Sequence, residues 1–188
     1  VYAGLVNKSI VAGLQALDCN AWGLCGADGD LIRSKRREPV PVDYGFVGDP
    51  IAEKFGSRTA ETLIGNGYVP VVAPITHDGK GDLLNTNADT VAQTVAVGLA
   101  KRYDVELIYC FEKKGVLSDI DDENSVIPVI DRNRYGKLKE QGVIFEGMLP
   151  KLDNAFKAIA NGVGSVVICG SEALLTPGYG GTTLLEKA

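Results

Sequence analysis

An amide- and carboxylate-bearing segment precedes one of the helices that the sequence predicts. It reads Leu84-Asn85-Thr86-Asn87-Ala88-Asp89 and follows a strand-like apolar run at 68–75. Asn85 and Asn87 can accept hydrogen bonds from the free amides of a helix start, and Asp89 would lie in the first turn, where the helix dipole favours a negative charge. Helix capping explains these residue types, and so does a ligand site at the edge of a sheet. The residues alone leave both interpretations open.

A lysine at a second predicted helix start is harder to explain by helix chemistry. In Glu146-Gly147-Met148-Leu149-Pro150-Lys151, proline suits the first helical turn, so Lys151 would stand near that helix's N-terminus. The dipole there disfavours a cation, whereas the lysine and the free backbone amides could hold an anion together. The segment predicts either a solvated lysine or an anion site.

A polar segment, Glu112-Lys113-Lys114-Gly115-Val116-Leu117, follows a predicted strand at 105–110. Ligands of open parallel sheets bind beyond the carboxyl ends of the strands, so these residues could reach the ribose and phosphates of a nucleotide. A charged turn that merely ends a strand is the alternative. Neither GxxxxGK[ST] nor GxGxxG occurs in the sequence, so a nucleotide enzyme would need other means of managing phosphate charge.

Short apolar runs alternate with helical patterns along the whole chain. This alternation predicts the α/β class, with a mainly parallel open sheet covered on both faces and no linker that would divide the chain into independent domains. The predicted helices cover 1–18, 51–66, 87–103, 131–141 and 151–161, and the predicted strands cover 19–25, 42–47, 68–75, 105–110 and 164–169. Residues 26–47 would form a hairpin standing off the sheet. The tail, with Gly178, Gly180 and Gly181, would be a loop with at most a short edge strand.

Composition excludes several classes of function. The 188 residues carry a formal net charge of -5 and 45% apolar residues, which fits a globular protein and argues against a nucleic-acid partner. No apolar run approaches the ~18 residues of a membrane span and no signal peptide is recognisable, which predicts a cytoplasmic protein without a membrane partner. The chain starts at Val1 and its only methionine is Met148, which predicts a processed, truncated or partly represented protein.

Four cysteines and one basic run remain. The cysteines (Cys19, Cys25, Cys110 and Cys169) lack metal-ligand spacing, so we expect small buried side chains in a reducing compartment and no metal site. The run Arg33-Ser34-Lys35-Arg36-Arg37 suits a solvated hairpin, and local attraction of an anionic substrate is the second interpretation.

These segments, taken in order, resemble the amino-acid kinase family, and within it the N-acetylglutamate kinases. The resemblance covers nearly the whole chain. Its specific parts are the NxNAD motif at 85–89 and the GMxPK motif at 147–151, supported by the segments at 3–8, 26–29, 47–48 and 66–71. It implies a three-layer α-β-α sandwich of the carbamate-kinase type. It also implies ATP- and Mg²⁺-dependent phosphorylation of the γ-carboxylate of N-acetyl-L-glutamate, an early step of arginine biosynthesis, by a homodimer.

The resemblance also implies residue roles. Lys151 would stabilise the transition state, Asp89 would hold the catalytic lysines in place, and Asn85, with Asn87, would bind the substrate. The residues lining the nucleotide site would be Glu112, Lys113, Lys114, Gly115, Val116, Leu117, Val143, Ile144 and Phe145. Residues 1–84 would form mainly the acylglutamate side and 85–188 mainly the nucleotide side, with the hairpin at 26–37 as a lid.

The sequence departs from the family pattern in two respects, and three alternative functions stay open. Family members begin with a strand bearing a second catalytic lysine, a glycine-rich loop and an arginine, whereas this chain starts in the helix that follows. Glu146 stands where a glycine is usual, and Phe111-Glu112-Lys113-Lys114 replaces the commoner Ser-Asp pattern. The alternatives are an N-succinyl-L-glutamate kinase, a sibling kinase for another carboxylate or carbamate, and a non-catalytic nucleotide- or effector-binding module.

Overall fold

The computed structural model describes residues 1–144, 146–175 and 180–187. The chain divides into two compact units, Val1–Leu99 and Ala100–Ala188. The predicted boundary between the acylglutamate side and the nucleotide side, at 84/85, lies within the first unit, before the last helix of that unit.

The first unit contains three helices and six strands. Helices α1 (Asn7–Gln15), α2 (Ser57–Gly65) and α3 (Ala88–Leu99) alternate with strands β1 (Ala21–Cys25), β2 (Ile32–Arg36), β3 (Gly48–Phe55), β4 (Val69–Ala73), β5 (Ile75–His77) and β6 (Leu83–Asn85). A π-helical turn, Tyr2–Val6, leads into α1. Strands β1 and β4 pair in parallel, and the other four form a mixed sheet in the order β3-β2-β5-β6.

Strand β3 corrects two sequence predictions. The helix predicted over 51–66 begins only at Ser57, because residues up to Phe55 pair antiparallel with β2. The strand predicted over 42–47 is irregular apart from a single bridge at Val47. A hairpin does form, but its second strand is β3 and not the predicted 42–47, and β2 also pairs with β5, so the hairpin is part of a sheet and does not stand off it. Pro50 is tolerated because β3 is an edge strand of this sheet.

The core of the first unit is built from apolar side chains of β1, β2 and α3 and of the residue before β2. Leu24, Leu31, Ile32 and Val91 are buried together, with Phe55 packed against them. Gly56 ends β3 at this core, and a side chain there would meet the Asp30 carbonyl oxygen at 2.5 Å. Only glycine therefore allows the chain to turn from β3 into α2.

The described part of the second unit contains two α-helices and four strands. Strands β7 (Glu106–Phe111), β8 (Val129–Asp131), β9 (Ser165–Gly170) and β10 (Thr182–Leu185) accompany helices α4 (Arg132–Glu140) and α5 (Leu149–Ala160). The sheet order is β7-β9-β10-β8, with β9 antiparallel to β10 and the other two pairings parallel. The tail strand β10 is therefore internal to the sheet, not the edge strand that the sequence predicted.

Burial explains the position of β10. Thr182 and Leu184 are fully buried, and Thr182 Oγ1 accepts a hydrogen bond of 2.8 Å from the Val116 amide. Helix α5 covers the same sheet with its apolar stripe, in which Leu152 and Phe156 are almost completely buried. The α/β class predicted from the alternation of elements is confirmed, with four of the seven pairings among the described strands parallel.

Candidate functional site

The segment at 85–89 is fixed in the first unit by backbone and hydroxyl contacts. The Asn85 amide donates to the Phe46 carbonyl oxygen at 2.7 Å, which ties the end of β6 to the hairpin loop. Thr86 is buried, and its Oγ1 lies 2.9 Å from Thr76 Oγ1 and 3.3 Å from the Gly48 carbonyl oxygen that it bonds. This buried hydroxyl pair, which sequence reasoning missed, sets the position of the exposed residues on either side of Thr86.

Asn87 caps helix α3. Its Oδ1 accepts a hydrogen bond of 3.1 Å from the Thr90 amide, as the residue type predicted. Asp89 lies half-buried in the first turn of the same helix and is itself partnered. The segment therefore presents Asn85 and Asn87 as exposed amides beside a carboxylate at a helix start.

Lys151 lies in the first turn of α5, one residue after Pro150, as the sequence predicted. Its Nζ lies 3.4 Å from the centre of the Phe111 ring, at the end of β7. An ammonium over an aromatic face is attracted by the ring quadrupole. The half-buried lysine is thus directed to the carboxyl end of the second unit's sheet instead of extending into solvent.

Three adjoining clefts open at this sheet end, and we call them together the strand-end cleft. The first, of about 290 Å³, is lined by Lys113, Gly115, Val116, Leu117, Ile120, Val143, Ile144, Gly147, Met148 and Lys151. The second, of about 580 Å³, is lined by Cys110, Phe111, Glu112, Lys113, Gly115, Met148, Lys151, Ile168 and Ser171. The third, of about 560 Å³, is lined by Phe111, Glu112, Lys114, Glu123, Gly170, Ser171, Glu172, Ala173 and Gly180.

The strand-end cleft brings together most of the predicted nucleotide residues with Lys151. All six residues of the 112–117 segment line it, as do Val143 and Ile144. Val116 and Ile144 are buried, so they form its wall. Phe145 was also predicted and lies outside the described residues.

Gly170 and Ser171 line the cleft but were missed by sequence reasoning. Gly170 ends strand β9 and Ser171 follows it, so the rule that ligands bind beyond strand ends could have found them. Phe111 and Met148 also line the cleft. The contact of Phe111 with Lys151 left no signal in the sequence, because the two residues come from distant segments.

The basic run of the β2–β3 hairpin is paired with carboxylates. Arg33 contacts Asp30 at 2.6 Å and Arg37 contacts Asp49 at 2.6 Å. Arg36 lies 4.6 Å from the centre of the Phe46 ring. These contacts favour the interpretation of a solvated, internally compensated hairpin.

The amino acid kinase family model matches residues 1–170, and the chain belongs to this family. The acetylglutamate kinase of Phocaeicola vulgatus is 54% identical over 187 residues, which is 100% of this chain and 71% of the relative. The structure of smu.665 from Streptococcus mutans matches with a TM-score of 0.78 at 30% identity, covering 99% of this chain and 69% of that one. Carbamate kinase from Giardia, 13% identical with a TM-score of 0.63 over 98% of this chain and 69% of its own, shows the same fold.

Proposed function

We propose that this protein transfers the γ-phosphoryl group of ATP to the γ-carboxylate of N-acetyl-L-glutamate, a step of arginine biosynthesis. The observation that carries the proposal is the 54% identity to an acetylglutamate kinase over 100% of the chain. The matched length includes both the 85–89 and the 147–151 segments. The product is an acyl phosphate, and ADP is released.

The reaction needs no general base. A carboxylate with an ordinary pKa near 4 is already ionised at neutral pH, so its oxygen can attack the γ-phosphorus directly while the bond to the ADP oxygen breaks. The difficulty is to align two anions that repel each other and to stabilise the charge of the transferring group. Fixed positive charge is the chemical means of doing so.

Lys151 is the residue of the second unit that we assign to this task. It lines two parts of the strand-end cleft, and the segment at 112–117 lines the same space, which suits a nucleotide whose phosphates lie near the lysine. The ring of Phe111 holds the ammonium at the cleft wall. We assign nucleotide binding to residues 112–117 with Val143, Ile144 and Phe145.

In the first unit we assign functional roles to Asp89, Asn85 and Asn87. The two exposed amides can donate to carboxylate oxygens of the acylglutamate, and the Asp89 carboxylate would orient cationic groups of the site. Capping of α3 uses only the Oδ1 of Asn87 in the bonds to Thr90, so capping and substrate binding are compatible. We assign residues 1–84 mainly to the acylglutamate side and residues 85–188 mainly to the nucleotide side.

Mg²⁺ fits the strand-end cleft as a companion of the nucleotide. Glu112 and Glu172 line the part of about 560 Å³, and carboxylate oxygens suit this hard cation. The described residues contain no group of three or more histidine, cysteine or carboxylate side chains placed to hold a metal ion. Mg²⁺ would therefore be held by one or two carboxylates and mainly by ATP phosphates, and it would neutralise phosphate charge.

The proposal extends to assembly and location. Leu5, Val6 and Ile10 on the N-terminal helical segment are 72%, 38% and 48% exposed, an apolar surface that suits a homodimer interface. Light scattering after gel filtration tests this assignment, and a monomeric mass at micromolar concentration contradicts it. None of the described helices has both the length and the apolar composition of a membrane span. The biosynthetic reaction that we propose consumes ATP, and we assign it to the cytoplasm.

The activity is tested by coupled ADP release with the full-length gene product that carries this sequence. N-acetyl-L-glutamate is compared with N-succinyl-L-glutamate, free glutamate, aspartate and carbamate, each with ATP and Mg²⁺. Turnover with N-acetyl-L-glutamate at the highest kcat/KM supports the proposal. A higher kcat/KM with another acceptor would show that this acceptor is the substrate. Calorimetric binding of ATP-Mg²⁺ without turnover of any acceptor would identify a non-catalytic nucleotide-binding module.

A further inference from the structure

Two cysteines form a register pair in the centre of the second unit. Cys110 of β7 and Cys169 of β9 are direct partners on neighbouring parallel strands, so their side chains leave the same face of the sheet. Both thiols are free. The prediction that the cysteines are buried is confirmed for Cys169, which is 0% exposed, and is wrong for Cys110, which is exposed, while Cys19 and Cys25 are half-buried.

The spacing of such a pair suits a covalent link. Neighbouring strands lie roughly 4.8 Å apart, and the Cα atoms of disulfide-bonded cysteines are usually about 4.4–6.8 Å apart. Burial raises the pKa of the Cys169 thiol, and the adjacent Cys110 thiol raises it further. The Cα separation expected for such a register pair falls within the range of disulfide-bonded cysteines.

We propose that Cys110 and Cys169 are a redox-modification site, which peroxides convert to an intrachain disulfide between β7 and β9 at the strand-end cleft. The exposed sulfur is the entry point, because an oxidant can reach Cys110 and cannot reach Cys169 directly. The same exposure lets a reductant thiol attack the bond and restore both thiols, so the modification is reversible.

The chemistry balances with peroxide as the oxidant. The Cys110 thiolate attacks a peroxide oxygen, the O–O bond breaks, and a sulfenic acid and one water result. The Cys169 sulfur then attacks the sulfenic sulfur, its proton leaves with the displaced hydroxyl as a second water, and the S–S bond forms. Two thiols lose two electrons, and one hydrogen peroxide becomes two waters. Because the pKa of Cys169 is raised, this closing step should quicken as the pH rises.

The cysteine pair lies next to the strand-end cleft. The next register pair along the two strands is Phe111 with Gly170, and both residues line the strand-end cleft. A bond between Cys110 and Cys169 would fix the two strand ends at the place where Phe111 meets Lys151. This cleft is the one to which we assign nucleotide binding, but formation of the disulfide does not depend on that assignment.

Mass mapping of the full-length gene product tests the proposal. The folded protein is exposed to hydrogen peroxide at one to ten equivalents, remaining thiols are blocked, and the protein is digested with trypsin. Cys110 falls in peptide 103–113 and Cys169 in peptide 158–187, whereas Cys19 and Cys25 share peptide 9–33. We expect the linked pair 103–113/158–187 as the main oxidised product, and its loss on treatment with dithiothreitol. Irreversible oxidation of Cys110 without the linked pair, or no loss of either thiol, would overturn the proposal.

Single substitutions separate the role of Cys110, the thiol oxidised first, from that of Cys169, the thiol that closes the disulfide. In Cys110→Ser, oxidation of Cys169 should slow at least ~10-fold, because the entry thiol is missing. In Cys169→Ala, Cys110 should proceed to the sulfinic acid. Cys25→Ser is the matched control and should still form the linked pair. If Cys169→Ala fails to fold, the wild-type map alone decides, and because its readout is a peptide mass it stands whether or not kinase activity is found.

Discussion

The ammonium nitrogen of Lys151 lies 3.4 Å from the centre of the Phe111 ring, which joins the start of α5 to the end of β7. Lysine side chains have many accessible conformations, and an ammonium at a helix N-terminus is repelled by the helix dipole. The aromatic face offsets this repulsion and holds the charge at the wall of the strand-end cleft. In the function that we propose, Phe111 would position Lys151.

Loss of the aromatic face should weaken this positioning. A cation–π contact contributes about 0.5–2 kcal/mol, so we expect Phe111→Leu to lower kcat by roughly 2- to 30-fold. Phe111→Tyr keeps the ring and should restore most of the rate. Steady-state ADP release measures both variants. Equal losses in the leucine and tyrosine variants would contradict the contact as the cause.

Asp89→Asn removes a charge with little change in shape. If the carboxylate orients the cationic groups of the site, we expect kcat to fall at least ~10². If it serves only the helix dipole, the loss is confined to about 0.3–1 kcal/mol of folding free energy. Kinetics and thermal unfolding of the same variant separate the two interpretations, since a normal kcat with a slightly lowered Tm leaves Asp89 with the helix role alone.

The sequence predicts those helices and strands that are determined by residues close together in the chain. Helix α5 follows from a proline near its start and an apolar stripe, and the Asn87 cap follows from residue type. Strand β3 could not be predicted in the same way, because Ile51, Ala52 and Phe55 also fit a helical stripe. Its pairing with β2 decides the matter, and that pairing is a contact between distant residues.

The candidate site shows the same division between local and distant contacts. The 112–117 segment was predicted to line a ligand site because it follows a strand, and it lines the strand-end cleft. The tail was predicted to hold at most a short edge strand, and the internal place of β10 in the sheet was missed, since only four residues of a glycine-rich tail form it. Residue types also gave no sign that Phe111 would meet Lys151 or that Cys110 would face Cys169. The cysteine pair comes from the sheet register, and the contact of Lys151 with Phe111 comes from the packing of α5 on that sheet.

The Asn87 cap has a measurable effect on stability. Asn87→Ala removes the acceptor for the Thr90 amide at 3.1 Å, and loss of such a cap costs about 1 kcal/mol. For a protein of this length we expect Tm to fall by roughly 2–4 °C in scanning calorimetry. Asn87→Asp keeps an acceptor and should restore Tm. An unchanged Tm in the alanine variant would show that the cap contributes little.

Acid stability should depend on Asp30. Its carboxylate is bonded by Arg33 and lies 2.8 Å from His77 Nε2, and the Arg33 hydrogen bond above all lowers the pKa of Asp30 below its ordinary value. A lowered pKa in the folded state stabilises the protein above the unfolded value, near pH ~3.9. This contribution is lost as the pH falls through the folded pKa.

The Tm difference between wild type and Asp30→Asn should therefore be steady at pH 5–6 and shrink below pH ~4. Arg33→Gln removes the main cause of the shift and should move the loss of stability to higher pH. Thermal unfolding monitored by circular dichroism from pH 2 to 6 gives both curves. A difference between wild type and Asp30→Asn that does not vary with pH would show that the carboxylate charge is not the cause.

Lys151→Ala is the most direct test of the proposed site. Removal of one preorganised positive charge from a phosphoryl-transfer site should lower kcat by at least ~10², with a smaller effect on the KM for ATP because the charge acts mainly in the transition state. Lys157→Ala is the matched control, since Lys157 lies exposed in the last turn of the same helix and should leave kcat unchanged. Both variants are assayed by coupled ADP release with N-acetyl-L-glutamate, and their folding is checked by Tm. A folded Lys151→Ala variant with the wild-type rate would remove this lysine from the site and leave its contact with Phe111 as a packing interaction.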